Sequence, residues 1–480
     1  MIERDDLLIG GEWTAAHGGA LGTSGTLDVV DPATDEVVGR VPIASAEDVD
    51  AAVRAAAAAF PAWSEVPMTE RVALVERIRA GVEERREELA ALLTLQMGTP
   101  ITFARQAQLG VALADLDEIV KAGRDYAAEE VIGGALVVRE PAGVVAAITP
   151  WNFPLHQIAL KVGAALVAGC TIVLKPSELT PLDAYVFAEI VQAAGAPAGV
   201  FNLVPGDGPV TGEALVAHPL VDMVTLTGSV RAGARVAELA ARTIKRVTLE
   251  LGGKSAGIVL DDADLATVVP QAVRGCFANS GQVCAALTRV LVPEHLLGEV
   301  ERLAVEAASG WVPGPPSDPA TRLGPQASRR QQRIVQGYIE AGIAEGARLI
   351  VGGAPIEGPG AYVSPTIFSG VRPEMTIARE EIFGPVLSIM SYTTEDEAVA
   401  IANDSEYGLS GGVWSADPAR ALAVARRLRT GMVSVNGAGL NVAAPFGGYK
   451  RSGVGREGGR YGIEEFLETK TVVGMPEGVA

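Results

Sequence analysis

Short β-branched runs alternate with helix-length segments between Val144 and Leu249, and no other feature of this chain constrains its fold as tightly. The runs are Val144–Ile148, Thr171–Leu174, Val200–Val204, Asp222–Leu226 and Arg246–Leu249. Between them lie segments of helical character near Leu155–Ala168, Leu182–Ala194, Pro209–Ala217 and Val230–Arg242. A strand can follow its predecessor in parallel only through a crossover, usually a helix. The alternation therefore predicts an α/β fold built on a doubly wound parallel sheet. Ligands of such sheets bind beyond the carboxyl ends of the strands, so the loops leaving those ends are where a site is sought.

A second alternation starts after Gly252, with a strand at Gly257–Leu260, a helix from about Asp264 and a strand at Thr288–Val292. Val386–Tyr392 and Met432–Val435 read as further strands. The first third of the chain is helical. Ser45, with Asp48 following, predicts the N-cap of an Ala-rich helix from Ala46 to Phe60 that Pro61 stops. Thr69 is expected to cap a longer helix ending near Gly98 and Pro100, and a third helix is expected from Ile101 to Gly123. The Gly- and Pro-rich stretches Trp311–Pro325 and Val351–Pro365 read as exposed connections. Glu465–Met475 alternates as an edge strand does; with no evident partner it is expected to pair across a subunit interface.

Composition narrows the function class. The 480 residues correspond to about three folding units at ~150 residues each. Lys and Arg total 39 against 58 Asp and Glu, a net charge of −19. Such a surface repels phosphate backbones and anionic lipid, which argues against nucleic-acid or membrane-surface binding. Three cysteines cannot staple a chain this long, so a reducing, cytoplasmic setting is expected. The acidic start Met1-Ile-Glu-Arg-Asp-Asp lacks the basic region of a secretory signal. Pro150, Asn152, Pro154, His156 and Lys161 interrupt the most apolar stretch, Ala142 to Leu174, so no membrane-spanning helix is expected there.

Several loops carry residues suited to chemistry. Cys284 follows Asn279-Ser-Gly-Gln282, a polar, flexible approach that would give a nucleophilic thiol access and backbone donors. The residues alone leave open a buried structural thiol, the reading adopted for Cys170 and Cys276. Glu250 stands where the fifth run ends, between leucines and ahead of two glycines, a setting that can raise a carboxylate's pKa for general-base work. A solvated strand-end carboxylate is the alternative. Asn152 lies between two prolines in the loop after the first run, either as a helix N-cap or as an amide N–H donor to an oxyanion. Gly206–Gly212 and Gly228–Gly233 both follow strands and open helices, where a pyrophosphate finds helix N-terminal N–H groups, although neither matches the dinucleotide fingerprint. Lys175-Pro-Ser-Glu178 ends the second run, where an adenosine ribose is read in doubly wound folds.

Together these stretches resemble the aldehyde dehydrogenase superfamily over almost the whole chain. The motifs are Thr149-Pro-Trp-Asn-Phe-Pro-Leu155, Lys175-Pro-Ser-Glu178, Thr227-Gly-Ser229, Leu249-Glu-Leu-Gly-Gly-Lys254, Gly281-Gln-Val-Cys284, Glu380-Glu-Ile-Phe-Gly-Pro385 and Pro445-Phe-Gly-Gly-Tyr-Lys-Arg-Ser-Gly453. The resemblance implies an enzyme that oxidises an aldehyde to a carboxylic acid with NAD, NADP being the possible substitute. It implies Cys284 as nucleophile, Glu250 as general base, and Asn152 with the Cys284 backbone N–H as the oxyanion hole. It also implies Trp151, Lys175 and Glu178 along the adenosine half of the cofactor, and Gly228, Ser229 and Gly233 around the pyrophosphate. Glu381 would take the nicotinamide ribose and Phe383 the ring. No metal is implied. By the same analogy, residues 1–118 and 142–252 form a dinucleotide-binding domain and 253–450 a catalytic domain. Residues 119–141 and 451–480 form a small discontinuous oligomerisation domain that builds a homodimer or homotetramer.

Glu250 favours hydrolysis over transfer to coenzyme A, because acyl-transferring relatives generally lack this glutamate. Glu178 should repel a 2′-phosphate, which favours NAD over NADP. The substrate channel is expected to be lined by Leu109, Val111, Leu113, Val283, Leu440, Val442 and Phe446, with the small Ala285 and Ala286 beside the thiol. Neither a basic cluster for a carboxylated aldehyde nor an aromatic box for a quaternary ammonium is evident, so an apolar or medium-chain aldehyde is expected.

Overall fold

A computed structural model describes residues 1–17 and 25–474. Two large sheets organise it. The first has eight strands in the order Gly453–Val454, Arg246–Glu250, Met223–Thr227, Val144–Ile148, Thr171–Lys175, Phe201–Leu203, Asp6–Ile9 and Glu12–Ala15. The strands from Arg246–Glu250 to Phe201–Leu203 run parallel, as the alternation predicted. They are buried along most of their length, which explains why they read as continuous apolar runs. After Asp6–Ile9 and Glu12–Ala15 at one edge, the parallel part starts in the middle at Val144–Ile148, winds one way through Thr171–Lys175 and Phe201–Leu203, then reverses to Met223–Thr227 on the other side. Loops leaving Val144–Ile148 and Met223–Thr227 therefore diverge, and open a crevice at the carboxyl edge.

The second sheet has seven strands, ordered Arg348–Val351, Thr366–Ser369, Val386–Tyr392, Arg289–Pro293, Ala256–Val259, Ser410–Trp414 and Met432–Val435. All its pairings are parallel except the first. Loops at the carboxyl edge of the first sheet and loops leading into strands of the second line one cavity, described below.

Several local expectations need correction. Ser45 and Asp48 do form a reciprocal capping box, but the helix runs from Ala46 to Ser64 with Pro61 inside it. Only the last turn loses a hydrogen bond to the proline, and Trp63 beyond it is anchored at 4% exposure. Thr69 does not cap the next helix, which starts at Met68 after Pro67 and stops at Glu84. Arg85 breaks the long helix there, its guanidinium tied to Glu88 and Glu189, and a separate helix spans Arg86–Met97. Trp311 and Leu323 are buried, as are Ala361 and Val363, so neither Gly/Pro-rich stretch is merely an exposed connection.

The third helix holds a π-helical turn, Ala104–Gln108, between Ile101–Phe103 and Leu109–Arg124. Its Ile119 and Val120, counted above with the small domain, are buried in the core around the first sheet. Gly453–Val454, also counted there, pairs with Arg246–Glu250. The terminal strand is Leu467–Val472 and has a partner within its own chain. It pairs antiparallel with Ala135–Pro141, which in turn pairs with Glu129–Ile132. Met475 and the rest of 475–480 lie outside the described residues, as do 18–24 of the expected first domain. Among the described residues no helix is long and apolar enough to cross a membrane.

Candidate active site

A cavity of about 980 Å³ lies between the carboxyl edge of the first sheet and the loops that lead into strands Arg289–Pro293 and Val386–Tyr392 of the second. Asn152, Trp151, Gly228 and Ser229 reach it on loops after strands of the first sheet, and Glu250 on the end of its own strand. Cys284, Glu381 and Phe383 face it from the second sheet's side. Chain reversal in the first sheet thus supplies half of the lining, and no sequence-local rule could have joined it to the other half.

Cys284 is carried by a knot rather than by a flexible approach. After helix Leu265–Phe277, Asn279, Ser280 and Gly281 take left-handed φ of 52°, 58° and 75° in succession. Two of these are not glycine, and such strain persists only where the surroundings over-determine it. Asn279 accepts from the Thr99 hydroxyl at 2.9 Å and donates to the Asn152 carbonyl at 3.0 Å. Ser280 donates to the Gly324 carbonyl at 2.9 Å, and the Gln282 side chain accepts from the Ala327 N–H at 2.8 Å. A Cβ on Gly281 would lie 2.0 Å from the Gly384 carbonyl carbon, so only glycine fits there. Gln108, at the end of the π-helical turn, donates to the Asn152 carbonyl at 3.2 Å. A π-turn re-aims the residues that follow it, and here it sits against the site.

Asn152 is not an N-cap. That position belongs to Phe153, and the Asn152 amide instead donates to the Gln282 carbonyl at 3.0 Å. One of its two N–H groups is thereby fixed, which aims the other. Cys284 is half-buried. Burial pushes its thiol up to about 12, with the Glu381 and Glu250 carboxylates acting in the same direction. The resting thiol is therefore held protonated, contrary to the lowered pKa expected of a nucleophile. Cys170 and Cys276 are fully buried as structural thiols.

Glu250 lines the same cavity as Cys284. It is 4% exposed, and neither carboxylate oxygen has a hydrogen-bond partner among the described residues. Burial raises its pKa well above the usual carboxylate range and Glu457 adds to the rise, while Lys161 and Arg456 oppose it. Lys161 and Glu457 form a buried ion pair, and Lys161 also donates to the Thr225 hydroxyl at 3.2 Å. Sequence reading passed over this pair, although a lysine inside an otherwise apolar helix was the signal.

On the cofactor side, Glu381 accepts from the Gly253 N–H at 3.0 Å, and burial raises its carboxyl to about 7. Phe383 holds a left-handed φ of 58°. Its ring meets Trp151 edge-on at 5.3 Å. Ser229 caps helix Val230–Ala241, accepting from the Ala232 N–H at 3.2 Å. The side of Gly228 where a Cβ would sit is open to 4.0 Å. Gly233 does not line the cavity; a Cβ there would meet Leu251 at 2.6 Å, so it serves close packing of helix on sheet. Lys175 and Glu178 lie outside the cavity lining with their charged atoms 3.9 Å apart, Lys175 buried and Glu178 exposed. A buried ammonium beside an exposed carboxylate suits a pair of vicinal hydroxyls, so the residues fit a dinucleotide.

Val111, Val283, Ala285, Ala286, Leu440, Val442 and Phe446 line the cavity as expected. Leu109 and Leu113 do not: both are buried in the core on the opposite face of their helix. Phe103, Phe153, Asp115 and His156 line it instead. Helical periodicity could have found Asp115, which is one turn from Val111. Among the described residues there is no group of His, Cys, Asp or Glu placed to hold a metal.

Residues 21–472 match the model of the aldehyde dehydrogenase family. The chain is 51% identical over 479 residues to a 3-succinoylsemialdehyde-pyridine dehydrogenase from Pseudomonas, covering 99% of both chains. It is 50% identical to aldehyde dehydrogenase C of Pseudomonas syringae, solved as a cysteine mutant complexed with NAD+ and octanal. That match has a TM-score of 0.96 and covers 99% of this chain and 98% of the other. An aldehyde dehydrogenase of Mycobacterium tuberculosis complexed with NAD+ is 44% identical at a TM-score of 0.96, over 100% of this chain and 99% of that one. The chain belongs to the aldehyde dehydrogenase family.

Proposed function

We propose that this chain oxidises apolar aldehydes to carboxylic acids with NAD, through a covalent intermediate on Cys284. The observation that carries this is the convergence of Cys284, the unpartnered and buried Glu250, and the Asn152 amide on one largely apolar cavity. NAD+ in two solved relatives, and octanal in one of them, support the choice of cofactor and substrate class.

Glu250, with its raised pKa, takes the Cys284 proton, and the sulfur attacks the aldehyde carbon. The carbonyl oxygen becomes an oxyanion, and the free Asn152 N–H and the Cys284 backbone N–H bind it. Bound NAD supplies the hydride acceptor. Departure of the hydride leaves a thioester on Cys284. Glu250 releases that proton to solvent and then takes one from water, whose oxygen attacks the thioester carbon. Collapse expels the Cys284 sulfur, which recovers a proton from Glu250, and the acid leaves. The apolar walls exclude bulk water from the first half of this sequence, which protects the thiohemiacetal.

Lys175 and Glu178 would hold the adenosine ribose, the N-terminus of helix Val230–Ala241 with Gly228 and Ser229 the pyrophosphate, and Glu381 the nicotinamide ribose, against Phe383. The exposed carboxylate of Glu178 disfavours a 2′-phosphate, so NAD is the preferred cofactor and NADP the weaker one. The sheet containing Leu467–Val472 leaves one edge of that strand open, which suits a homodimer or homotetramer in the cytoplasm. NADH absorbance with a series of aldehydes tests the reading. Turnover only in the presence of coenzyme A would replace hydrolysis by acyl transfer.

A further inference from the structure

Asp115 and His156 form the one ion-pair geometry in the apolar stretch of the cavity wall made by Phe103, Val111, Phe153 and Leu160. His156 Nδ1 lies 2.5 Å from Asp115 Oδ2, and the two side chains are 13% and 2% exposed. The Phe153 ring stands edge-on to the imidazole at 6.1 Å and fixes its plane. Nδ1 is occupied by Asp115, whereas Nε2 has no hydrogen-bond partner among the described residues. Burying a carboxylate is costly, and Asp115 bears that cost with His156 as its only hydrogen-bond partner among the described residues. A wall meant only for alkyl chains would not need either group.

We infer that the Asp115–His156 pair is a specificity subsite, at which His156 Nε2 hydrogen-bonds a hydroxyl carried on the body of the aldehyde. This rests on the reaction proposed above and adds a substrate class to it: hydroxylated aliphatic aldehydes. A neutral ring that donates through Nδ1 presents a lone pair at Nε2, and a doubly protonated ring presents an N–H. A hydroxyl can donate or accept and so satisfies either state. A carbonyl can satisfy only the second. The surrounding apolar wall makes this hydrogen bond selective, because an occupant that fails to make it leaves the ring nitrogen dry and unpaired.

The test measures kcat/KM for hydroxylated alkanals and their unsubstituted parents over a range of chain lengths. It compares the wild type, a double Asp115→Leu, His156→Phe variant, which leaves no orphaned charge, and His156→Gln, which keeps a group that both donates and accepts. At one chain length the hydroxylated-to-parent ratio should fall by roughly 10-fold or more in the double variant. His156→Gln should recover part of it. A ratio that stays unchanged while turnover persists overturns the subsite and leaves the reaction standing. A ratio that favours aldehydes bearing an ammonium over those bearing a hydroxyl also overturns it, since the buried carboxylate would then be reading charge. Absence of aldehyde oxidation in the wild type refutes the reaction itself.

Discussion

Replacing Glu250 by Gln keeps the shape of the side chain and removes its basicity. In the native protein both carboxylate oxygens are buried without partners among the described residues, and burial and Glu457 hold its proton on well above the usual range. Positioned general bases contribute about 10²–10⁴-fold to a rate, and Glu250 is invoked for both thiol and water, so kcat should fall by at least ~10²-fold. The wild-type pH–rate profile should rise on its alkaline side as Glu250 ionises, and that rise should vanish in the variant. Stability moves the other way. A group whose native pKa exceeds its unfolded value of about 4.3 gives its stabilisation fully below that value, and loses it as pH rises through the native pKa. At pH above the native pKa the wild type bears a buried charge that glutamine lacks. The variant should then be the more stable by about 1.4 kcal/mol for each pH unit separating the two pKa values. Steady-state NADH production across pH and parallel urea unfolding measure both effects. A variant that keeps the alkaline limb, or that is less stable than wild type at high pH, would refute the assignment.

Other substitutions probe the neighbouring groups. Asn152→Ala removes an oxyanion donor and should lower kcat by about 10²–10³-fold with a smaller change in KM, read from steady-state kinetics. Lys161→Met strips Glu457 of its buried partner, so urea unfolding should show a loss of about 3–5 kcal/mol. It should also move the pH–rate limb further alkaline, because Lys161 restrains the Glu250 pKa. Gly281→Ala places a methyl against Gly384 at a left-handed φ, and unfolding should report a destabilisation of about 2–3 kcal/mol. Glu178→Gln should shift the NADP-to-NAD ratio of kcat/KM towards NADP by no more than about fivefold, since the carboxylate is solvent-screened.

The parallel strands were legible because burial on both faces leaves an uninterrupted apolar run, and their crossover helices have the right length. Ends of elements were less so. Pro61 looked like a stop, yet Trp63 anchors the turn beyond it. The 279–282 approach looked flexible because its residues are small and polar. In the fold those groups spend their hydrogen bonds on Thr99, Gln108, Gly324 and Ala327, all far away in the chain. The third helix does line the channel, but Leu109 and Leu113 share the face that packs inward, while Val111 and Asp115 look into the cavity. The motifs identified Cys284, Glu250 and Asn152, but not that the thiol is held protonated or that Lys161 and Glu457 underlie the base. Those depend on burial and on contacts between distant segments.

The covalent step on Cys284 is tested most directly by peptide mapping of protein quenched during turnover of an aldehyde with NAD. The expected result is an acyl group on Cys284, found in the wild type and absent from Cys284→Ala together with NADH production. Undiminished NADH production by Cys284→Ala, or an acyl group mapped to Cys170 or Cys276 instead, would contradict it.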